Sequence, residues 1–348
     1  MPSGRRTSGS RGEAAELAGD AITAQLEKCL PDILGSRAEV ASLGLLAGGA
    51  SKEAWAVDVS TPDGRLELLV RRDTGGAIYS DMLSIEEEYR VLRAAFEAQV
   101  KVPRPYGYLA DLDGRDAFVM ERVKGETIGR RIVRSAELRA AREALPGQMA
   151  QELARIHAIE LKQVDFLPGP RTPPATPAYL DGMQEQLDTL PEAHPALELG
   201  IRWLREHAPP GHDLVLVHAD FRLGNFIVDE RGMVAILDWE MAHRGEPTED
   251  LGWPLVRAWR FGADNRRLAG VGDPEPYLER YNQLTGRDVS REELFYWELA
   301  GNVKWAIGSA RQGLRHISGE ERSVELAVLG RLASEVEYEV LSLLEQVA

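Results

Sequence analysis

Residues 214–240, LVLVHADFRLGNFIVDERGMVAILDWE, set His218, Asn225 and three aspartates among apolar runs that otherwise read as core. FIV and VAIL are short β-prone runs joined by DERGM, so residues 226–237 are predicted to form a hairpin. In an antiparallel pair the start of the first strand lies beside the end of the second. Asn225 and Asp238 occupy those places, which puts their Cα atoms roughly 5 Å apart. Two oxygen donors so placed suit Mg²⁺, a hard cation that takes one or two carboxylates and completes its shell with substrate phosphates. Asp220 precedes Asn225 by five positions on a tight loop that also holds Arg222 and Gly224. A carboxylate beside such a metal site is placed to accept a hydroxyl proton.

Elements must hold this loop in position, and 348 residues suffice for about two lobes. Residues 1–14 are basic and rich in Ser and Gly, with no apolar core of a secretory signal, and are expected to be a disordered tail. A helix follows that the pattern ends at Pro31. Residues 38–73 read as three antiparallel strands, with Asp63-Gly64 as a hairpin signal. A helix with Ile85, Tyr89, Leu92 and Phe96 on one face comes next, then a second hairpin around Asp113-Gly114. The expected fold is therefore α+β. Residues 15–123 form a small lobe with a five-stranded antiparallel sheet and a helix, and residues 124–348 form a mainly helical lobe. The stripe Leu326, Leu329, Leu332, Val336, Val340, Leu343 and Leu344 marks a long final helix whose apolar face is core packing.

Composition narrows the partners. A formal net charge of -15 argues against a general nucleic-acid binder, because phosphate backbones repel acidic faces. No apolar run approaches the roughly 18 residues of a membrane span. Cys29 is the single cysteine, which excludes an intrachain disulfide and a cysteine-rich zinc site and fits a reducing cytoplasm. Oligomeric state is not legible.

The small lobe carries candidates for phosphate contact. AGGASKEAW falls between the first two strands, where Gly48 and Gly49 let backbone amides approach phosphates and Ser51 adds a donor; an ordinary hairpin turn would also use two glycines. The third strand offers Arg71 and Arg72, of which period-two alternation turns one inward. FVMERV ends the fifth strand, and Glu121 and Val123 there are candidates to present backbone groups to a nucleobase, or simply to link the lobes.

The order His218, Asp220, Arg222, Asn225, Asp238 resembles the kinase-superfamily catalytic loop H-x-D-x-x-x-x-N followed by a D-F-G-like segment, here DWE, whose third residue is not Gly. With ILDWE and GEPTEDLGW, the chain is similar to the aminoglycoside phosphotransferase and choline-kinase-like family. Through DWEMAHRGEP and VRAWRFG it resembles a bacterial branch akin to the kinase part of acyl-CoA dehydrogenase fusions. The resemblance implies a two-lobed protein-kinase-like fold, ATP or GTP with Mg²⁺ as cofactors, and transfer of phosphate to a hydroxyl of a small molecule. It implies Asp220 as catalytic base with Arg222 in the same loop, Asn225 and Asp238 as Mg²⁺ ligands, and His218 and Asp250 as loop supports. It selects Arg71 as the phosphate cation and Glu88 as its orienting acid, leaving Glu86 and Glu87 as solvated neighbours. Glu246 stands where the family usually has Asp.

Two other classes compete. A pseudokinase would bind nucleotide without transfer. A metal-dependent hydrolase would use His218, Asp220, Asp238, His243 and Asp250. The segment DLGWPLVRAWRFGADNRRLAG, dense in Trp and Arg, is expected to border the acceptor. Its arginines favour an anionic or CoA-linked hydroxy acid over a polyamine sugar, unless the tryptophans only pack and the arginines only solvate. Trp297, Asn302, Lys304 and Trp305 are further candidates for the same wall. Nothing resembles the peptide-docking A-P-E segment of protein kinases.

Overall fold

The computed structural model describes residues 9–46, 52–75 and 82–347. The chain divides into two compact units, one running to Glu97 and resuming over Val102–Val123, the other made of Ala98–Lys101 and everything from Lys124 onward.

In the first unit, α1 (Gly9–Leu34) begins inside the stretch expected to be a tail and continues through Pro31. The proline ring removes one donor, and the helix still completes its final turn. Ile22, Leu26 and Leu30 recur at helical spacing and are fully buried. They pack with Trp55, Val57, Leu68, Val70 and Val119. Strands β1 (Glu39–Leu45), β2 (Lys52–Thr61) and β3 (Gly64–Asp73) lead to α2 (Ile85–Glu97), β4 (Pro105–Leu109) and β5 (Ala117–Glu121). The sheet runs β1-β2-β3-β5-β4, and every pair is antiparallel. The second turn has Asp113 at φ 53° and Gly114 at φ 76°, the doubly left-handed geometry that matches strand twist in a tight hairpin.

The buried face of α2 differs from the apolar stripe expected. Ile85, Glu88, Val91, Leu92 and Ala95 point inward, whereas Phe96 is 41% exposed. A buried glutamate on that face needs a cation, and β3 supplies one. Alternation along β3 separates its two arginines. Arg72 is bound by Glu53, the Leu112 carbonyl and Asp113, while Arg71 turns to Glu88.

The second unit contains α3 (Gly129–Arg134), α4 (Arg139–Ile156), α5 (Thr176–Asp188), α6 (Pro195–Glu206), β6 (Val215–Val217), β7 (Phe226–Asp229), β8 (Gly232–Ile236), β9 (His243–Gly245), α7 (Pro247–Gly252), α8 (Pro274–Thr285), α9 (Arg291–Ser318) and α10 (Val324–Leu344). Its main core joins Leu197, Ile201, Leu204, Trp297, Val303, Val336 and Val340. Helix α9 starts with a reciprocal cap, Ser290 accepting from the Glu293 amide and Glu293 from the Ser290 amide. It crosses α10 at Gly313 and Gly330, where a Cβ on Gly313 would lie 2.7 Å from the Gly330 Cα. The predicted hairpin exists as β7 and β8, with Phe226 opposite Ile236. A second ribbon, β6 with β9, went unrecognised in the sequence because each strand has only three residues. Among the described residues, no helix is long and apolar enough to cross a membrane.

Candidate active site

Strand β6 delivers the chain to His218, where the backbone amides of His218 and Ala219 donate to the two oxygens of Asp250 at 2.7 and 2.9 Å. Asp250 lies on α7, fully buried. His157 Nε2 lies 3.2 Å from the same carboxylate, and the other His157 nitrogen meets the Tyr281 hydroxyl at 2.7 Å. This grip holds Ala219 at φ 67°, a left-handed backbone unfavourable for any residue with a Cβ. Strain of this kind persists only where surrounding contacts over-determine it.

The loop is tied to the hairpin by His218. Its Nδ1 accepts from the Asp220 amide at 3.2 Å, so Nε2 carries the proton and donates to the Leu237 carbonyl at 3.0 Å. The Leu237 amide in turn donates to the Asn225 carbonyl at 2.8 Å. Asn225 and Leu237 thus close the end of the ribbon, with Asp238 next in line at φ 67°. The predicted hairpin is present, with Leu237 rather than Asp238 directly opposite Asn225.

The Asp220 carboxylate is oriented by three side-chain donors. Oδ1 accepts from Arg222 Nε at 2.9 Å and from the Trp253 indole at 2.8 Å, and Oδ2 accepts from Asn225 Nδ2 at 2.6 Å. The same Asn225 amide nitrogen reaches the Asp220 carbonyl at 2.9 Å. Both amide hydrogens of Asn225 are therefore spent on Asp220, which leaves its Oδ1 as the atom for a cation. An amide oxygen and the Asp238 carboxylate are hard donors of the kind Mg²⁺ uses with phosphate oxygens. Among the described residues, no group of three or more His, Cys, Asp or Glu side chains is disposed to hold a metal. Arg222 is held by its own surroundings, with its guanidinium 4.3 Å over the Trp259 ring.

In the first unit, Arg71 Nε lies 3.0 Å from Glu88, whose side chain is 3% exposed. Glu87 instead binds the amide and hydroxyl of Ser84, and Glu86 makes no such pair among the described residues. Glu121 donates its amide to the Arg104 carbonyl and Arg122 donates to Glu67, while Val123 directs no amide to a protein acceptor among the described residues. Gly48, Gly49 and Ser51 lie outside the described residues.

The arginine-rich segment is corrected by its partners. Arg260, 4% exposed, pairs with Glu298 at 2.9 Å and Glu339 at 3.0 Å. Arg267 also binds Glu298. Arg257 contacts Asp264, Glu335 and Glu339. These cations are neutralised within the fold, so they are no argument for an anionic acceptor. Trp297 is core. Two features escaped sequence reasoning: the Trp253 indole as a donor to Asp220, and the trio of His243, buried Glu249 and Lys304. Burial would raise the Glu249 carboxyl, yet His243 and Lys304 outweigh it and hold it down to about 2. Burial would lower Lys304, but Tyr179 and Glu249, and more weakly Asp220, raise it.

The phosphotransferase enzyme family matches residues 42–292. Among curated proteins, acyl-CoA dehydrogenase family member 10 of Mus musculus is 28% identical over 76% of this chain and 26% of its own length. Family member 11 of Gallus gallus is 29% identical over 65% of this chain and 29% of its own length. The chain thus spans less than a third of these relatives. Among solved structures, a putative aminoglycoside phosphotransferase from Ralstonia eutropha has a TM-score of 0.73 at 22% identity, over 94% of this chain and 98% of the other. A GDP and kanamycin complex of an aminoglycoside phosphotransferase has a TM-score of 0.62 at 14% identity, over 92% and 98%. An ADP and hygromycin B complex of another has 0.57 at 18%, over 91% and 98%. At these identities the structures establish the protein-kinase-like fold. With most of its length matched by the family and the loop, hairpin and ion pair in place, the chain belongs to the phosphotransferase enzyme family and is a small-molecule kinase.

Proposed function

We propose that the protein transfers the γ-phosphoryl group of ATP, with Mg²⁺, to a hydroxyl of a small molecule, with Asp220 as the base. The observation that carries this reading is the Asp220 carboxylate fixed by Asn225, Arg222 and Trp253 beside the paired ends of the β7–β8 ribbon. Asp220 accepts the hydroxyl proton as the acceptor oxygen bonds to phosphorus and the bridging bond to the leaving nucleoside diphosphate breaks. Held by three donors, the carboxylate contributes mainly by orienting the hydroxyl, in keeping with a loose transition state. Bound Mg²⁺ would neutralise phosphate charge, and Asn225 Oδ1 with Asp238 would hold it. Arg71, braced by Glu88, suits the phosphates, and Gly48, Gly49 and Ser51 are proposed to cover them. Glu121 and Val123 are proposed to meet the base. The structural neighbours solved with GDP and ADP support nucleotide binding and leave ATP or GTP to experiment.

The names of the curated relatives favour a second acceptor, a hydroxyacyl-CoA thioester. The single cysteine supports a cytoplasmic setting. The test is transfer of labelled γ-phosphate from Mg-ATP or Mg-GTP to separate pools of aminoglycosides, macrolides, choline-like alcohols and hydroxyacyl-CoA thioesters. Product in one pool, absent with Asp220→Asn, is expected. Equal product with that variant would remove Asp220 from the chemistry, and nucleotide binding without product in any pool would favour a pseudokinase.

A further inference from the structure

Beside Asp220 stands a charged group that the transfer step does not use. Lys304 Nζ on α9 lies 3.1 Å from one oxygen of Glu249 on α7, and the other oxygen lies 3.0 Å from His243 Nε2 on β9. His243 Nδ1 is 3.0 Å from the Met241 carbonyl. Both ring nitrogens therefore face acceptors, and the ring satisfies both only as an imidazolium. One carboxylate sits between two cations, so the trio keeps one surplus positive charge. Gly245 makes room for it, since a Cβ there would lie 3.0 Å from Glu249 and 3.1 Å from His243.

The surplus is presented next to the reacting carboxylate. The Lys304 ammonium lies 5.4 Å from the ring centroid of Trp253, the residue whose indole holds Asp220, and 4.9 Å from that of Tyr179. The Lys304 side chain is 26% exposed and Glu249 only 4%, so the cation is the reachable end of the pair. Glu246 fixes the Tyr179 wall, its carboxylate accepting from the Ala175 amide at 2.7 Å and from the amide and hydroxyl of Thr176. The carboxylates here, Asp220, Glu246 and Glu249, are each already bound by donors of the protein. A polyamine would meet cations and occupied acids here; an anion would meet a cation framed by aromatic faces.

We propose that Lys304 is a specificity-determining residue that pairs with an anionic oxygen group, carboxylate or phosphate monoester, carried by the acceptor near its reacting hydroxyl. This rests on the reading of Asp220 as the base of transfer. The test is binding to the full chain, read by tryptophan fluorescence and ligand-observed NMR, of 3-hydroxybutyrate, glycerol 3-phosphate, the neutral amide of 3-hydroxybutyrate, and the polyamine 2-deoxystreptamine. At least one anion is expected to bind roughly tenfold more tightly than the amide, and which one identifies the group. Lys304→Met should erase that advantage and leave amide binding unchanged, while Lys304→Arg retains it. Amide or polyamine binding as tight as the anions, no binding by either anion, or an unchanged preference in Lys304→Met would overturn the proposal. Binding needs no transfer, so a preference that survives in a chain without transferase activity would sink the catalytic reading alone.

Discussion

The Asp220 loop and the arginine segment Arg257–Arg267 are both dense in buried charge, yet they use it in opposite ways. In the arginine segment Arg257, Arg260 and Arg267 meet four carboxylates from the same chain, so these three keep no surplus positive charge. Around Asp220 the backbone is strained at Ala219 and Asp238, the carboxylate is aimed by three donors, and the neighbouring trio holds a surplus cation. Charge density alone does not mark a site. Strain and incomplete neutralisation, held in place by buried supports, do.

The largest expected effect lies in the loop. Asp220→Asn should cut turnover roughly a hundred- to ten-thousand-fold with the melting temperature little changed, as steady-state kinetics beside calorimetry would reveal. Next is the opposite profile in the arginine segment. Glu298→Ala should cost about 3 kcal/mol by leaving Arg260 a single carboxylate partner, with turnover per folded molecule preserved. Denaturant titration reads this, and Arg260→Met combined with Glu298→Met should recover much of the loss. If Glu298→Ala instead abolished turnover in folded protein, the contrast between the regions would fail.

Trp253→Phe keeps the ring and removes the indole donor. A fall of roughly tenfold in kcat with unchanged KM for nucleotide is expected, from the loss of one hydrogen bond to a charged group. The smallest effect is that of pH on the trio. Glu249 is held down to about 2 from 4.5, so its stabilisation is complete above about 4.5 and fades as pH falls toward 2. His243 is raised from 6.5: burial lowers it, but Glu249 outweighs burial. Its contribution is full below 6.5 and declines as pH rises through the folded value. Melting temperature should therefore drop on both sides of a broad maximum, and His243→Gln should flatten the alkaline side.

What the sequence revealed was local. His218, Asp220, Asn225 and Asp238 fall within 21 residues, so strand pairing alone brings them together. Alternation sends Arg71 and Arg72 to opposite faces, and the structure pairs Arg71 with Glu88 and the more buried Arg72 with Glu53 and Asp113. The failures were long-range. Trp253 lies 33 positions from Asp220 and Lys304 lies 55 from Glu249, distances no periodicity spans. The arginines were misread because three of their four carboxylates, Glu298, Glu335 and Glu339, stand on α9 and α10. Phe96 fitted an apolar stripe, but the buried face follows Glu88, whose partner is on another element.

The ion pairs of the arginine segment also impose an order on biosynthesis. Arg260 emerges from the ribosome 38 residues before Glu298 and 79 before Glu339. Until α9 has been made, this cation has neither of its carboxylate partners, and until α10 follows it has one. The Trp253 indole that aims Asp220 belongs to the stretch just before these arginines. The nascent chain should thus settle its Asp220 loop late, after the helices most distant from it in sequence have docked.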